Sequence, residues 1–162
     1  MNAVNHSQVF LSIGSNIDPE KNLPAAIKWL AENFSVTRVS SVWQTEAIGS
    51  GGPDFLNAVI LIETALLETE LKNIFFRWYE EKIGRVRDSN KNAPRQIDID
   101  ILIFNNQIVE DEIWEYAHKA VPLAEIYPDL EHPTSNQSLL EIAAHLQSDK
   151  NIYLRDEINL DF

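Results

Sequence analysis

The segment IDIDIL, from Ile97 to Leu102, alternates isoleucine with aspartate. Side chains alternate along a strand, so Ile97, Ile99 and Ile101 share one face and Asp98 and Asp100 the other. The Cα atoms of the two aspartates should then lie about 6 to 7 Å apart, at roughly 3.3 Å per residue. Two carboxylates at that separation can converge on a hard cation such as Mg2+. Like charges side by side oppose folding and aspartate is a poor strand former, so a divalent ion would offset both effects. The plainer alternative is a half-exposed strand whose aspartates face water.

Lys82, Arg85, Arg87, Lys91 and Arg95 bring five of the 13 basic residues within 14 positions just upstream. One or two arginines would suffice to balance two carboxylates. The surplus points to a polyanion, and a phosphate chain bridged by Mg2+ would satisfy acids and bases together. Pro94 stiffens the chain before Arg95, which suits phosphoryl transfer because that chemistry depends on positioning and charge neutralisation. The alternative is a solvated loop balancing an acidic protein. No GxxxxGK[ST] loop is present, which sets aside a P-loop nucleotidase.

The elements that must position these groups follow from pattern. Val9 to Ile13 reads as a strand closed by Gly14, Ser15 and Asn16, with GSN by itself only a turn signal. Asp18 and Pro19 open a helix whose apolar stripe is Leu23, Ala26, Ile27, Leu30, Ala31 and Phe34. Val36 to Gln44 reads as a second strand and Phe55 to Thr64 as a third. The connector EAIGSGGPD holds three of the five glycines, too many for a tight hairpin, and is expected to be a mobile loop. A helix over Leu67 to Ile83 should bury Leu71, Ile74, Phe75, Trp78 and Tyr79 and stop at Gly84. Ile97 to Phe104 forms a strand, Asn105 and Asn106 turn, and Gln107 to Val109 returns antiparallel. This βαββαβ order predicts an α+β, ferredoxin-like core: a mainly antiparallel sheet with two helices on one face. A further helix is expected from Ser138 to Gln147.

A chain of 162 residues with no repeat or linker signature suits one domain over 1–162. The absence of cysteine excludes disulfides and thiolate metal sites and makes the cytoplasm the expected compartment. No leader or long apolar run appears, so no membrane role is expected. The net charge of -12 is concentrated late: 13 acidic against 10 basic residues up to Phe104, then 12 against 3. That field repels nucleic acid, leaving small anionic substrates served by a local basic patch.

The stretch KNAPRQIDIDIL, Lys91 to Leu102, resembles the signature of the 6-hydroxymethyl-7,8-dihydropterin pyrophosphokinase family, K-x-G/A-P-R-x-x-D-hydrophobic-D-hydrophobic-hydrophobic. LSIGSN, QTEAIG with PDFLNAV, EEKIGRVR and PLAEIYPDL extend the similarity in register over about Val9 to Leu130. The resemblance implies transfer of pyrophosphate from MgATP to a pterin hydroxymethyl group, with AMP leaving. It implies that Asp98 and Asp100 hold two Mg2+ ions. It further implies that Arg85 and Arg95 grip the triphosphate and act in catalysis, with Glu80, Arg87 and Ile101 as further nucleotide contacts. Thr45, Ile48, Phe55 and Asn57 match the pterin pocket, where Phe55 could stack on the heterocycle and Asn57 offers a donor and an acceptor. No obligate protein partner is implied. Trp43 and Trp78 read as core, and His132 and His145 as structural or exposed.

Two departures stand out. The family's H-P-x-x-x-x-R-x-F-V-L-like segment before P-L-x-E-I is replaced by EDEIWEYAHKAVPL, removing a nucleotide contact and an aromatic wall. His118 and Lys119 are the candidate substitutes, with His118 read as a lone surface histidine. Glu110, Asp111, Glu112 and Glu115 make that edge acidic, unfavourable beside ATP unless they turn away. Ala47 also stands where the family often has proline. A family member that binds pterin or nucleotide but catalyses weakly is the alternative reading; an RNA-binding ferredoxin-like module lacks the required aromatic pattern.

Overall fold

The computed structural model describes residues 6–49, 51–87, 89–90 and 92–162; Lys91 of the basic cluster and Ser50 of the glycine-rich connector lie outside them. β4 (Phe55–Thr64), continuously apolar from Val59 to Ile62, forms the centre of the sheet. β1 (Ser7–Ser15) pairs antiparallel along its whole length, from Ser7 opposite Thr64 to Ser15 opposite Leu56. β5 (Asp98–Phe104) pairs antiparallel on the other edge of β1 and continues through a two-residue turn into β6 (Gln107–Ile108). Asn105 and Asn106 adopt φ of 48° and 64° there, the left-handed pair a two-residue hairpin needs.

β2 (Ser35–Val39) and β3 (Trp43–Thr45) both pair with β4, and β7 (Ile152–Leu154) closes that edge against β3. The sheet order is β6-β5-β1-β4-β3-β7, the expected ferredoxin-like order with added edge strands. Strand alternation divides the residues between two faces. Val9, Leu11 and Ile13 of β1 and Ala58, Ile60 and Ile62 of β4 pack on Leu23, Ala26, Ile27 and Leu30 of α1 (Pro19–Asn33). The opposite face packs Phe10, Val59, Leu61, Leu102 and Ile103 against Ala120, Val121, Leu123 and Ala124 of α4 (Ala117–Ile126). α5 (Leu139–Asp149) supports α4, its start capped by Ser138, whose Oγ accepts from the Glu141 amide.

Three expectations are corrected. The run from Val36 to Gln44 is two strands, because the Ser40 side chain takes over the ladder: its Oγ accepts the Val59 N–H at 2.9 Å, and the strand is offset around it. The helix expected over Leu67 to Ile83 comprises α2 (Glu68–Glu70), a π-helical stretch (Leu71–Phe76) and α3 (Arg77–Lys82). The wider turn rotates the later residues, so the buried set is Leu71, Phe76 and Tyr79, while Ile74 and Trp78 are 61% and 52% exposed. Trp78 therefore lies outside the core; the Lys82 ammonium sits 4.7 Å from its ring centre. α4 itself carries no clear sequence signal, since Pro122 lies inside it. The acidic tail docks: β7 joins the sheet, Arg155 Nη1 donates to Gln44 Oε1 at 2.6 Å, and Ile158 and Leu160 pack on the first core.

Candidate active site

The face covered by α4 is apolar only for part of its length. Past Phe10, Val59 and Leu102 the same face carries Ser12 and Gly14 on β1, Phe55 and Asn57 on β4, and Asp98 and Asp100 on β5. These residues face the same way because each is an even step along its strand from an α4 contact. They line a cleft of about 430 Å³, walled on the far side by Tyr116, His118 and Lys119 at the start of α4. The loop after β3 supplies Glu46, Ala47 and Ile48, and the loop before β5 supplies Arg85, Asn92, Ala93 and Arg95.

Asp98 is bridged from two sides. Arg85 Nη1 donates to its Oδ1 at 2.6 Å, and Arg95 Nη1 donates to its Oδ2. Arg85 also reaches the buried Glu80 at 2.6 Å, whose other oxygen accepts the Ile99 N–H at 3.2 Å. Arg87, largely exposed, reaches Glu80 at 3.4 Å. Burial pushes the Glu80 carboxyl up, and Arg85 opposes that rise. Glu80, Arg87 and Ile101 thus lie off the cleft wall: Glu80 anchors the arginines from behind, and Ile101 turns its side chain into the first core.

Asp100 is raised from 3.8 to about 7, first by burial and then by the neighbouring Asp98 charge, with Lys119 opposing. A carboxyl so reluctant to ionise beside a second carboxylate is the setting a divalent cation relieves. Among the described residues no cluster of three or more His, Cys, Asp or Glu side chains could hold a metal by itself. Two aspartates with ligand oxygens to complete the shell suit Mg2+, which is usually bound through one or two carboxylates and substrate phosphates. Between 3.8 and about 7 the folded chain keeps a proton that the unfolded chain releases. The stability that Asp100 contributes to the metal-free chain therefore falls as pH rises through that window, while His118, lowered from 6.5 to about 4, contributes the opposite change over the lower part of it. Mg2+ competes with this proton, so the Mg2+-induced rise in Tm should be small near about pH 6 and larger near about pH 8. Thermal melts at both values check this; an equal rise would exclude Asp100 as a ligand.

On the β4 side, Asn57 Nδ2 donates to Thr45 Oγ1 at 3.0 Å and to the Trp43 carbonyl at 3.2 Å. Its donor is thus used within the protein, and its Oδ1 lies against Gly14. Thr45, Ile48, Phe55 and Asn57 all line the cleft with Asp98 and Asp100. Asn16, which the sequence marks only as part of a turn, is a site residue as well. Its Oδ1 accepts the Arg95 N–H at 2.7 Å, its backbone N donates to the Arg95 carbonyl at 3.1 Å, and its Nδ2 donates to the Pro53 carbonyl at 3.2 Å. One buried asparagine thereby joins the arginine segment to the glycine-rich connector.

The segment before Pro122 is also corrected. His118 is half-buried on the cleft wall, not a surface histidine, and burial followed by the Lys119 charge lowers its pKa to about 4, leaving it neutral. Glu110 and Glu112 do face the cleft, paired with the buried Lys119, while Asp111 and Glu115 are exposed away from it.

A family model described as 7,8-dihydro-6-hydroxymethylpterin-pyrophosphokinase (HPPK) matches residues 10–128, spanning every residue that lines this cleft. The chain belongs to the HPPK family. It is 32% identical over 143 residues to a 2-amino-4-hydroxy-6-hydroxymethyldihydropteridine pyrophosphokinase of Aquifex aeolicus, covering 82% of this chain and 88% of that protein. It is 32% identical over 157 residues to the same-named protein of Haemophilus influenzae, covering 90% and 96%. Among solved structures, a triple mutant of Plasmodium falciparum HPPK-DHPS with pteroate superimposes with a TM-score of 0.69 at 12% identity, over 97% of this chain and 44% of that one. That likeness concerns the fold, and this HPPK chain spans less than half the length of the crystallised one.

Proposed function

We propose that the cleft transfers pyrophosphate from MgATP to the hydroxymethyl group of 6-hydroxymethyl-7,8-dihydropterin, releasing AMP, a step in folate biosynthesis. The pterin hydroxyl oxygen forms a bond to the β-phosphorus of ATP while the bond from that phosphorus to the α-phosphate oxygen breaks. AMP leaves with that oxygen, and the hydroxyl proton passes to solvent. The observation that carries this reading is the meeting of Asp98, Asp100, Arg85 and Arg95 with Thr45, Phe55 and Asn57 around one cleft.

Asp98 and Asp100 would hold two Mg2+ ions, which when bound polarise the phosphate oxygens. Arg85 and Arg95 bind the phosphate chain and neutralise the charge that gathers on it during transfer. Both already lean on Asp98, so their guanidinium planes are oriented before the nucleotide arrives. Phe55 offers a face to the pterin ring, Asn57 offers the Oδ1 acceptor that Thr45 leaves available, and Ile48 covers the slot from the loop. The working unit is the whole of residues 1–162 as one domain in the cytoplasm, served by small molecules and by no obligate protein partner. Among the described residues no helix is long and apolar enough to cross a membrane.

The test is incubation with MgATP and the reduced pterin, with AMP measured. AMP is expected only when both substrates are present; ADP, or no product, contradicts the reading. Glu110 and Glu112 on the wall favour one competing version, a family member that binds but turns over weakly. Calorimetric binding of both substrates without AMP release would select it. Gly14→Ala offers a finer check. A Cβ there would stand 3.3 Å from Asn57 Oδ1, close enough that this acceptor must give by a few tenths of an ångström, and 3.7 Å from the Phe55 ring, an ordinary contact. The pterin KM should rise about tenfold, or about 1.4 kcal/mol, with little change in the ATP KM; an unchanged pterin KM would remove Asn57 from the pocket.

A further inference from the structure

Lys119 is unusual among the charged groups of this cleft. Its side chain is 7% exposed, yet its Nζ sits 2.6 Å from Glu110 Oε2 and 2.7 Å from Glu112 Oε2. The two glutamates come from the segment that enters and forms the 3-10 turn (Asp111–Trp114), whereas the lysine belongs to the first turn of α4. The bridge therefore ties the acidic segment to the helix that walls the cleft. A buried lysine is retained only with compensating partners, and here two carboxylates supply them.

The charges around the cleft explain why such a tie matters. Asp98, Asp100, Glu110, Glu112 and Glu46 face Arg85, Arg95 and Lys119, so the protein groups sum to a negative charge before any nucleotide arrives. Asp98 and Asp100 have a use for their charge. Glu110 and Glu112 do not, and left to themselves would repel a triphosphate at close range. The geometry points to Lys119 as a positioning residue that clamps Glu110 and Glu112 to the start of α4 and cancels part of their field, so that the cleft accepts an anionic nucleotide. This rests on the pyrophosphokinase reading above. The clamp acts on the nucleotide through the glutamates, so its signature lies in nucleotide affinity, and removal of the same glutamate charges should undo the loss of the lysine.

The experiment compares Lys119→Met, the triple variant Lys119→Met/Glu110→Gln/Glu112→Gln and the parent protein. Binding of a nonhydrolysable ATP analogue with Mg2+ is followed by calorimetry, and kcat and KM are taken from AMP release. Lys119→Met should weaken nucleotide binding and raise the ATP KM at least about tenfold with kcat within about twofold, and the triple variant should return both affinities to within about threefold of the parent. Unchanged binding in Lys119→Met overturns the clamp. Equal loss in both variants also overturns it, because the lysine would then act by its own contact or packing. Should Lys119→Met fail to fold by circular dichroism, the triple variant decides alone: normal fold and affinity support the clamp, and loss refutes it. A parent that binds the analogue but releases no AMP refutes the pyrophosphokinase reading and leaves the binding comparison intact.

Discussion

Asp100→Ala is expected to lower AMP formation about a thousandfold, or about 4 kcal/mol, while leaving the metal-free protein at least as stable near neutral pH. The two effects separate because the proposed metal role of Asp100 would come at the expense of the fold. Its carboxyl ionises only at about 7, held back by burial and by Asp98, so its charge is unfavourable until a cation shares it. Removing it eliminates that repulsion. Asp98→Ala should abolish turnover to a similar extent but destabilise the chain, because Arg85 and Arg95 both lose the carboxylate that orients them. Steady-state AMP assays paired with denaturant melts distinguish the two. Near-normal turnover in Asp100→Ala would end the metal assignment for the pair.

Arg85→Met is expected to lose both activity and about 3 kcal/mol of stability, the low end of the cost of removing one partner from a buried ion pair. The stability loss arises at Glu80, which is 4% exposed and would retain only the long contact to Arg87 and the Ile99 amide. Combining Arg85→Met with Glu80→Gln should recover much of the stability, because the uncompensated charge is gone, yet restore none of the turnover. Urea unfolding and AMP release on the three variants measure this. Recovery of activity in the double variant would make Arg85 a structural residue alone, acting only as the counter-charge of Glu80.

The contrast between Glu80 and Asp100 shows where local pattern stops being informative. Both are acids beside the arginine segment, and the family resemblance implies a nucleotide contact for Glu80. In the fold it faces inward behind the arginines, because α3 packs on the first face of the sheet and its side chain meets the Ile99 amide there. Trp78 departs from its expected place for a related reason. Helical spacing places it with Leu71, but the π-helical stretch Leu71–Phe76 rotates everything after it, and such a shift leaves no mark in hydrophobic periodicity. Asn16 is legible only as a turn former, since its partners Arg95 and Pro53 lie far along the chain.

Strand alternation by itself determined that Asp98 and Asp100 share a face, and the order of strand and helix patterns predicted a ferredoxin-like sheet, because these periodicities are properties of neighbouring residues. Spacing also placed the cations upstream of the aspartates. Only the tertiary structure decided which face of the sheet α4 covers, where its coverage ends and the cleft begins, and that Glu110, Glu112 and His118 turn into that cleft. Those outcomes depend on how distant segments share one surface, and the energies that select them, ion pairing of Lys119 and burial against Val59 and Leu61, exist only once the chain has closed on itself.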